Sequence, residues 1–393
     1  MAFRGSVLQV IPALDAGGAE RTTVEIARGV INAGGRALVA TSGGRLCDDI
    51  RDMGGAVVLL PVHSKNPVVI WRNAERLSQI IRRENIDILH VRSRAPAWSA
   101  IIAARRTGVA LVSTYHGAYS AQTPWKRFYN SGMTRADRVI ANSAFTAASI
   151  NAQYTVDPSK LRVIPRGADL LEFRPEVVSE DRLTALAKAW AVDGLTDRLK
   201  VLAPARLTSW KGQADLIEAV KIIAESSPFR HGGTLGAKHS LVVVFCGEAE
   251  MHGDYAADLA SRVGEYGLSD RVRFVGHCDD MPAGYAWADV VIAPSRRPEA
   301  FGRVAVEAGA MGKIVIASKH GGALETILDQ ETGLLTPPAD PEALATAIIE
   351  SASWTPEKRR MIGQAAKDRV TAHFSTEAMV NATVDVYREL AAL

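Results

Sequence analysis

Two carboxylates set a fixed distance apart carry the clearest chemical signal in this chain. Glu299 and Glu307, with seven residues between them, lie in the stretch RRPEAFGRVAVEAGAMGKIVIASKHGG, which runs from Arg296 to Gly322. Phe301-Gly302 follows the first glutamate. Small residues then lead into an expected strand, Lys313–Ser318, and a Gly-Gly turn closes the segment. A helix start here offers unpaired backbone N–H groups and a partial positive charge, a ready setting for an anion. A carboxylate beside it accepts hydrogen bonds from hydroxyls. Together these parts suit a ligand that is both phosphorylated and polyhydroxylated, such as a nucleotide sugar.

Paired carboxylates also raise hydrolysis. A retaining glycosidase pair stands about 5–5.5 Å apart, whereas eight helical steps separate two residues by about 12 Å along the axis. On one helix the two glutamates therefore suit separate tasks, one at a sugar and one at a ribose. Glu307 sits in the apolar run VAVEAGAMG, where an unpaired charge is costly, so an ordinary surface role fits it poorly.

Other residues fit the same kind of ligand. Arg206 and Lys211 flank the turn in ARLTSWKGQADLIEA. Two cations there can neutralise a departing pyrophosphate, each charge-assisted bond contributing roughly 1.5–3 kcal/mol. Alone, the pair would read as two solvated charges. Gly17-Gly18 follows the first expected strand and opens a helix, letting backbone approach a ligand closely. A Gly-Gly turn by itself is more often only a turn. His116-Gly117 ends the strand Leu111–Thr114, a good place to donate to a hydroxyl or a developing charge, although a lone histidine is usually structural or exposed. Gly247 ends the strand LVVVFCG, and Val275-Gly276-His277 ends the next, where a nucleobase can rest against backbone. No Asp-x-Asp pair occurs. The expected chemistry is therefore metal-independent, with Arg206, Lys211 and helix dipoles in the metal's place.

These residues need a scaffold, and the hydrophobic pattern supplies one. Short β-rich runs (Val7–Ile11, Ala37–Thr41, Val57–Leu60, Ile86–Val91, Leu111–Thr114, Arg138–Ala141) alternate with amphipathic stretches such as Ala19–Ala33 and Ala74–Arg83. After about residue 198 the pattern restarts with Lys200–Pro204, Leu241–Cys246, Val272–Val275, Val290–Ala293 and Lys313–Ala317. Such alternation predicts parallel sheets covered on both faces. Two series, in a chain of 393 residues, predict two doubly wound α/β domains. The Pro- and Gly-bearing segment IPRGADLLEFRP (164–175) reads as the hinge. The expected domains are 1–172 and 173–375, with a last helix at about Thr376–Leu390 and residues 376–393 packing back on the first domain. Open α/β sheets bind ligands at the carboxyl ends of their strands, so a cleft between two such edges is the expected site. The loop HGGTLGAKHS (231–240) carries no chemistry.

Charge is unevenly placed. Residues 1–172 hold 22 Lys/Arg against 13 Asp/Glu, and the remainder 24 against 30. A basic half can attract phospholipid headgroups or a phosphorylated glycolipid. Its cations are dispersed and no nucleic-acid recognition module is visible, so no nucleic-acid partner is expected. The three cysteines, Cys47, Cys246 and Cys278, lack metal-ligand spacing and read as reduced thiols of a cytoplasmic protein. No apolar run approaches the ~18 residues of a membrane span. The opening FRGSVLQVIPAL leads straight into a glycine loop and a helix and reads as a first strand rather than a signal peptide.

With these pieces in order, the chain resembles the retaining glycosyltransferase family 4, of GT-B architecture: two Rossmann-like domains facing across a cleft. The resemblance rests on GGAER (17–21), HG (116–117), the turn with Arg206 and Lys211, VRFVGH (272–277), PEAFGRVAVEA (298–308), GGALETI (321–327) and TGLLTPPADPEAL (332–344). It implies Glu299 at the donor sugar hydroxyls and Glu307 at the ribose, with Arg206 and Lys211 on the diphosphate. It places Gly17 and Gly18 at the phosphate from the other domain, and His116 at the sugar near the reacting carbon. Backbone amides around Phe301, Gly302, Arg303 and Val304, with Gly247, complete the donor site. It also implies retention by front-face attack, without a covalent enzyme nucleophile or a cofactor. Two departures stand out. Ala300 occupies a position that is often glycine, which narrows the sugar pocket by a methyl group, and Arg166 stands where many members carry Asn and is assigned no role.

The stretches 115–147 and 296–312 are further similar to bacterial lipopolysaccharide-core mannosyltransferases. That implies GDP-mannose as donor, a lipopolysaccharide-core or related glycolipid acceptor, and peripheral contact with the cytoplasmic face of the inner membrane. Trp125, Lys126, Arg127, Phe128 and Tyr129 mix rings with cations as a membrane surface requires. Rings packed inward on a helix are the simpler expectation. Alternatives are a UDP-glucose, UDP-galactose or UDP-N-acetylglucosamine donor, epimerisation or hydrolysis on the same fold, and a non-catalytic nucleotide-sugar-binding subunit.

Overall fold

Strands and helices alternate along the chain as the apolar runs require. The structure is a computed structural model that describes residues 2–15, 17–119, 123–226, 240–249 and 253–391. It divides into two compact units, Met1–Arg166 with Thr376–Leu393, and Gly167–Ser375. The division falls at Arg166–Gly167 because Ala168 and Phe173 already belong to the second unit's core, and the Ala168 amide donates to the Phe374 carbonyl at 2.9 Å.

The first unit is a seven-stranded parallel sheet of β1 (Ser6–Val10), β2 (Arg36–Thr41), β3 (Ala56–Leu59), β4 (Ile88–Val91), β5 (Ala110–Tyr115), β6 (Arg138–Ala141) and β7 (Leu161–Val163), in the order β3-β2-β1-β4-β5-β6-β7. The second is a six-stranded parallel sheet of β8 (Arg198–Pro204), β9 (Ser240–Cys246), β10 (Val272–Gly276), β11 (Val290–Ala293), β12 (Ile314–Ser318) and β13 (Leu334–Thr336), in the order β10-β9-β8-β11-β12-β13. Central strands are apolar on both faces, as a sheet sandwiched between helices demands: Val7, Leu8 and Val10 in β1, and Leu241 to Val244 in β9, are fully buried. The edge strands β7 and β13 have three residues each, too few for a period-two pattern, which is why the apolar runs do not announce them.

In each unit the strand order reverses direction once, between β1 and β4 and between β8 and β11. Ligands of doubly wound sheets bind at the carboxyl ends of the strands beside such a reversal. The segments after β1, β4, β8 and β11 are thus the places to look for chemistry.

The C-terminal helix, Thr376–Ala391, belongs to the first unit. It crosses the helix Gly18–Asn32 so closely that a Cβ on Gly29 would lie 2.1 Å from Val380 Cγ1. Tyr387, fully buried, meets His90 Nδ1 at 2.5 Å, and Glu389 pairs with Arg138 and Arg162. No helix among the described residues is long and apolar enough to cross a membrane. Most of the loop 231–240 lies outside the described residues.

Candidate active site

The second unit's site is built from the two segments that flank its strand reversal. After β8 the chain runs through Arg206 into a short turn, Ser209–Lys211, and enters the helix Gln213–Glu225 at Gly212. Gly212 has φ +75°, and a Cβ there would lie 1.9 Å from the Pro294 carbonyl oxygen. Only glycine lets this turn lie against the segment after β11. Arg296 completes the clamp: its guanidinium binds Asp215 through two bonds of 2.7 and 2.6 Å, and its amide donates to the Trp210 carbonyl at 2.8 Å.

Lys211 and Glu299 are thereby brought together. Lys211 Nζ stands 2.8 Å from Glu299 Oε1, with the two side chains 15% and 21% exposed. Buried Ser295 donates its hydroxyl to the same carboxylate at 2.5 Å. The Lys211 ammonium also lies over the Trp210 ring, 4.5 Å from its centre. Burial pushes the Glu299 carboxyl up, but Lys211, the Ser295 hydroxyl and nearby His320 outweigh it, and the group stays below the usual carboxylate range. Glu299 is therefore ionised at neutral pH.

Two adjoining hollows share Ala293, Ser295 and Glu299. One is also lined by Lys211, Gln213 and Val304, the other by Gly302, Ser318 and His320. Gly302 takes φ +86° and begins the helix Arg303–Ala310 with no side-chain cap, and the Ala305 amide donates to the Gly302 carbonyl at 3.1 Å. Gly321 and Gly322 hold this loop from behind. Added Cβ atoms would lie 2.5 Å from the Glu299 carbonyl oxygen and 2.4 Å from Phe301 Cα, and the Gly322 amide donates to the Glu299 carbonyl at 2.8 Å. Phe301 is buried and packs edge-on against Phe374, so it anchors the loop through its side chain.

The helix begins at Arg303, so Glu299 lies on the loop before it. The expectation of eight helical steps between the glutamates is thus corrected: the left-handed backbone at Gly302 interrupts them. Glu307 lies on the helix, where its charge is already paired. Tyr285 donates to Oε2 at 2.8 Å and Arg303 Nε to Oε1 at 3.0 Å. A carboxylate has about four acceptor positions, so both oxygens can still take a ligand hydroxyl. Arg206 is not brought to Lys211. Its side chain is exposed, and its carbonyl accepts from Gln213 Nε2 at 2.9 Å. Gly247 packs under that turn, where a Cβ would lie 2.1 Å from the Ala205 carbonyl oxygen.

Ser295 and His320 belong to this site although the sequence did not single them out. Both ring nitrogens of His320 are buried without a hydrogen-bond partner. The available signal was position, since each follows the end of a strand beside a residue already under suspicion.

In the first unit, Gly17 and Gly18 open the helix Gly18–Asn32 after β1, as expected. His116 follows β5, and its Nδ1 is 2.6 Å from Arg166 Nη2. A guanidinium only donates, so Nδ1 accepts and the neutral ring carries its proton on Nε2. Burial, then Arg166, Arg92 and His90, hold this imidazole well below its usual value and hence uncharged at neutral pH. Arg166, given no role from the sequence, sets the tautomer of His116.

Both units are doubly wound parallel α/β sheets, and the second sets a cation–carboxylate pair and an uncapped helix start beside its strand reversal. Residues 16–171 match the family described as Glycosyltransferase Family 4, and residues 191–369 match Glycosyl transferases group 1. The chain is 30% identical over 322 residues to a D-inositol 3-phosphate glycosyltransferase of Salinispora arenicola, covering 78% of this chain and 69% of that one. A glycosyltransferase from Rickettsia africae is similar in structure (31% identical, TM-score 0.89, 98% of each chain covered). Anabaena HepE, solved with UDP and glucose, shares the fold at 23% identity and TM-score 0.80, over 97% of this chain and 98% of that one. The chain belongs to the group 1, family 4 glycosyltransferases, and its two Rossmann-like units match GT-B enzymes.

Proposed function

We propose that this enzyme moves a hexose from a nucleotide sugar to a glycolipid acceptor with retention and without a metal ion. The observation that carries the reading is the Lys211–Glu299 pair, 2.8 Å apart, beside the uncapped helix start at Gly302 and the strand reversal of the second unit. Lys211 and the first amides of Arg303–Ala310 take the diphosphate, Glu299 accepts from a sugar hydroxyl, and Glu307 accepts from the ribose. Exposed Arg206 is free to turn onto the diphosphate, and Gly247 keeps the floor of that turn low. Gly17 and Gly18 present a second helix start to phosphate. As the acceptor oxygen bonds to the anomeric carbon, the bond from that carbon to the phosphate oxygen breaks. The acceptor proton passes to the departing phosphate, which leaves as the nucleoside diphosphate.

The donor is GDP-mannose and the acceptor a lipopolysaccharide-core intermediate, on the likeness of residues 115–147 and 296–312 to mannosyltransferases of that pathway. The relative named D-inositol 3-phosphate glycosyltransferase favours a second acceptor, a phosphorylated cyclitol. A panel of GDP-mannose, UDP-glucose, UDP-galactose and UDP-N-acetylglucosamine tests the donor. Turnover of a UDP-sugar with none of GDP-mannose rejects mannose.

Metal independence rests on the absence of an Asp-x-Asp pair and on the cation already in place. Among the described residues no three His, Cys, Asp or Glu side chains stand together as ligands. Transfer is expected to survive excess EDTA unchanged. Loss of activity that magnesium or manganese restores would refute this.

Membrane contact has a structural motive. Trp125 and Phe128, on the helix Pro124–Asn130, are 74% and 50% exposed and lie beside Lys126 and Arg127; one face of Phe128 stacks on Trp98 at 4.9 Å. The protein is expected to float with phosphatidylglycerol vesicles, and Trp125→Ala with Phe128→Ala to lose most of that binding. Equal flotation of the double variant contradicts a role for these rings.

A further inference from the structure

The first unit contains a small cavity beneath the carboxyl ends of β4 to β7, closed by the helices Gly18–Asn32 and Thr376–Ala391. Its polar wall comes from Thr22, Arg92, Thr114, His116, Asn142 and Arg166. Arg92 follows β4 directly, at the reversal between β1 and β4, where doubly wound sheets place ligands.

The wall is rich in donors that have nothing to donate to. Arg92 is 2% exposed; its Nη1 donates to Gln9 Oε1 at 3.1 Å, while Nε and Nη2 have no partner. Glu20 and Glu25, on Gly18–Asn32, act on this guanidinium through their charge, but neither hydrogen-bonds it. Asn142 accepts from Thr146 Oγ1 through Oδ1 at 2.8 Å, which fixes the amide and leaves Nδ2 unpaired. His116 carries its proton on Nε2, also buried and unpaired. Each hydroxyl of the lining makes one bond within the protein: Thr114 with His90 Nε2 at 2.7 Å, Thr22 with the Gly18 carbonyl at 2.6 Å, and Thr383 with the Met379 carbonyl at 2.8 Å. Burial lowers Arg92 only to about 10, so it is charged at neutral pH.

Buried donors in folded proteins find acceptors, and buried charges find partners. A water or a sugar hydroxyl could take some of these bonds but would leave the buried Arg92 charge without a counter-charge. A group that only accepts, and carries negative charge, meets Arg92, Asn142 and His116 at once. We propose that this cavity binds one oxyanion of the acceptor, a carboxylate or a phosphomonoester, held by Arg92, Asn142 Nδ2 and His116 Nε2. The assignment to the acceptor rests on the glycosyl-transfer reading, whereas the cavity's affinity for an oxyanion does not.

The test is a titration of the full-length protein, labelled with nitrogen-15, with acetate and separately with inorganic phosphate, following the Arg92 Nε–H and His116 Nε2–H resonances. Saturable shifts of both are expected. Saturation by acetate alone identifies a carboxylate site, and by phosphate alone a phosphomonoester site. Arg92→Lys is expected to weaken binding about 10–100-fold, the loss of a charge-assisted pair of bonds. Asn142→Ser keeps the guanidinium and is expected to weaken binding about 10-fold; it serves as the second variant should Arg92→Lys fold poorly. No saturable shift with either anion, or unchanged affinity in both variants, overturns the site. In transfer assays, a neutral acceptor used as well as its carboxylated or phosphorylated counterpart overturns the assignment to the acceptor. Absence of transfer to any acceptor would count against the glycosyl-transfer reading and leave the titration result standing.

Discussion

Glu299→Ala is expected to slow transfer by about 10²–10³-fold while nucleoside diphosphate affinity changes little. The expected size is that of removing one positioned group that stabilises a transition state. Glu299 is suited to that task because its charge is fixed before substrate arrives: Ser295 and Lys211 hold one oxygen, and Gly321-Gly322 holds its backbone. Contacts that strengthen only as the sugar distorts raise the rate rather than the affinity. Alanine also leaves Lys211 without its partner, and an uncompensated buried charge is destabilising by up to about 3–5 kcal/mol. The partial exposure of both side chains reduces that figure. Glu299→Gln, which keeps the shape and an acceptor, separates the effects: folding close to wild type with transfer still strongly reduced. Turnover unchanged in either variant contradicts the sugar role.

The pH dependence follows from the same pair. The folded Glu299 carboxyl lies below its ordinary value of 4.5. Its contribution to stability is complete above that value and is lost as pH falls through the lower folded value. Transfer between about pH 5 and 8 should therefore show no ionisation of Glu299.

Lys211→Ala is expected to weaken GDP or UDP binding by about 10–100-fold, the worth of one or two charge-assisted bonds, and to leave guanosine or uridine binding unchanged. Without a ligand the ammonium rests on Glu299 and over Trp210, so the diphosphate competes for a cation that is already placed and need not be ordered. The effect should shrink in high salt, since the pair is not fully enclosed. Calorimetry with nucleoside and nucleoside diphosphate reads both terms, and equal losses for the two ligands contradict a diphosphate role.

Much of this was legible in the sequence because it obeys local rules. Long apolar runs such as LVVVFC and the restart after residue 198 disclosed two parallel sheets. Residues at strand ends pointed to Lys211, Glu299 and His116, and the structure pairs the first two. What stayed hidden depends on contacts between distant segments. Arg166 looked like an idle departure until β7 set it 2.6 Å from His116. Arg92 reads in sequence as one more basic residue, yet the strand reversal buries it. Glu299 was placed on a helix because the sequence does not show that Gly302 turns left-handed and starts the helix late. Ring exposure at Trp125 was misjudged because an amphipathic pattern does not say which face is covered.

The most direct measurement is a crystal structure of the protein soaked with the nucleotide sugar it turns over. The expected result places a diphosphate oxygen within hydrogen-bond distance of Lys211 Nζ and of the first amides after Gly302, and a sugar hydroxyl on Glu299, with no metal between them. A donor seated elsewhere on the second unit, or a divalent ion bridging its phosphates, contradicts the account.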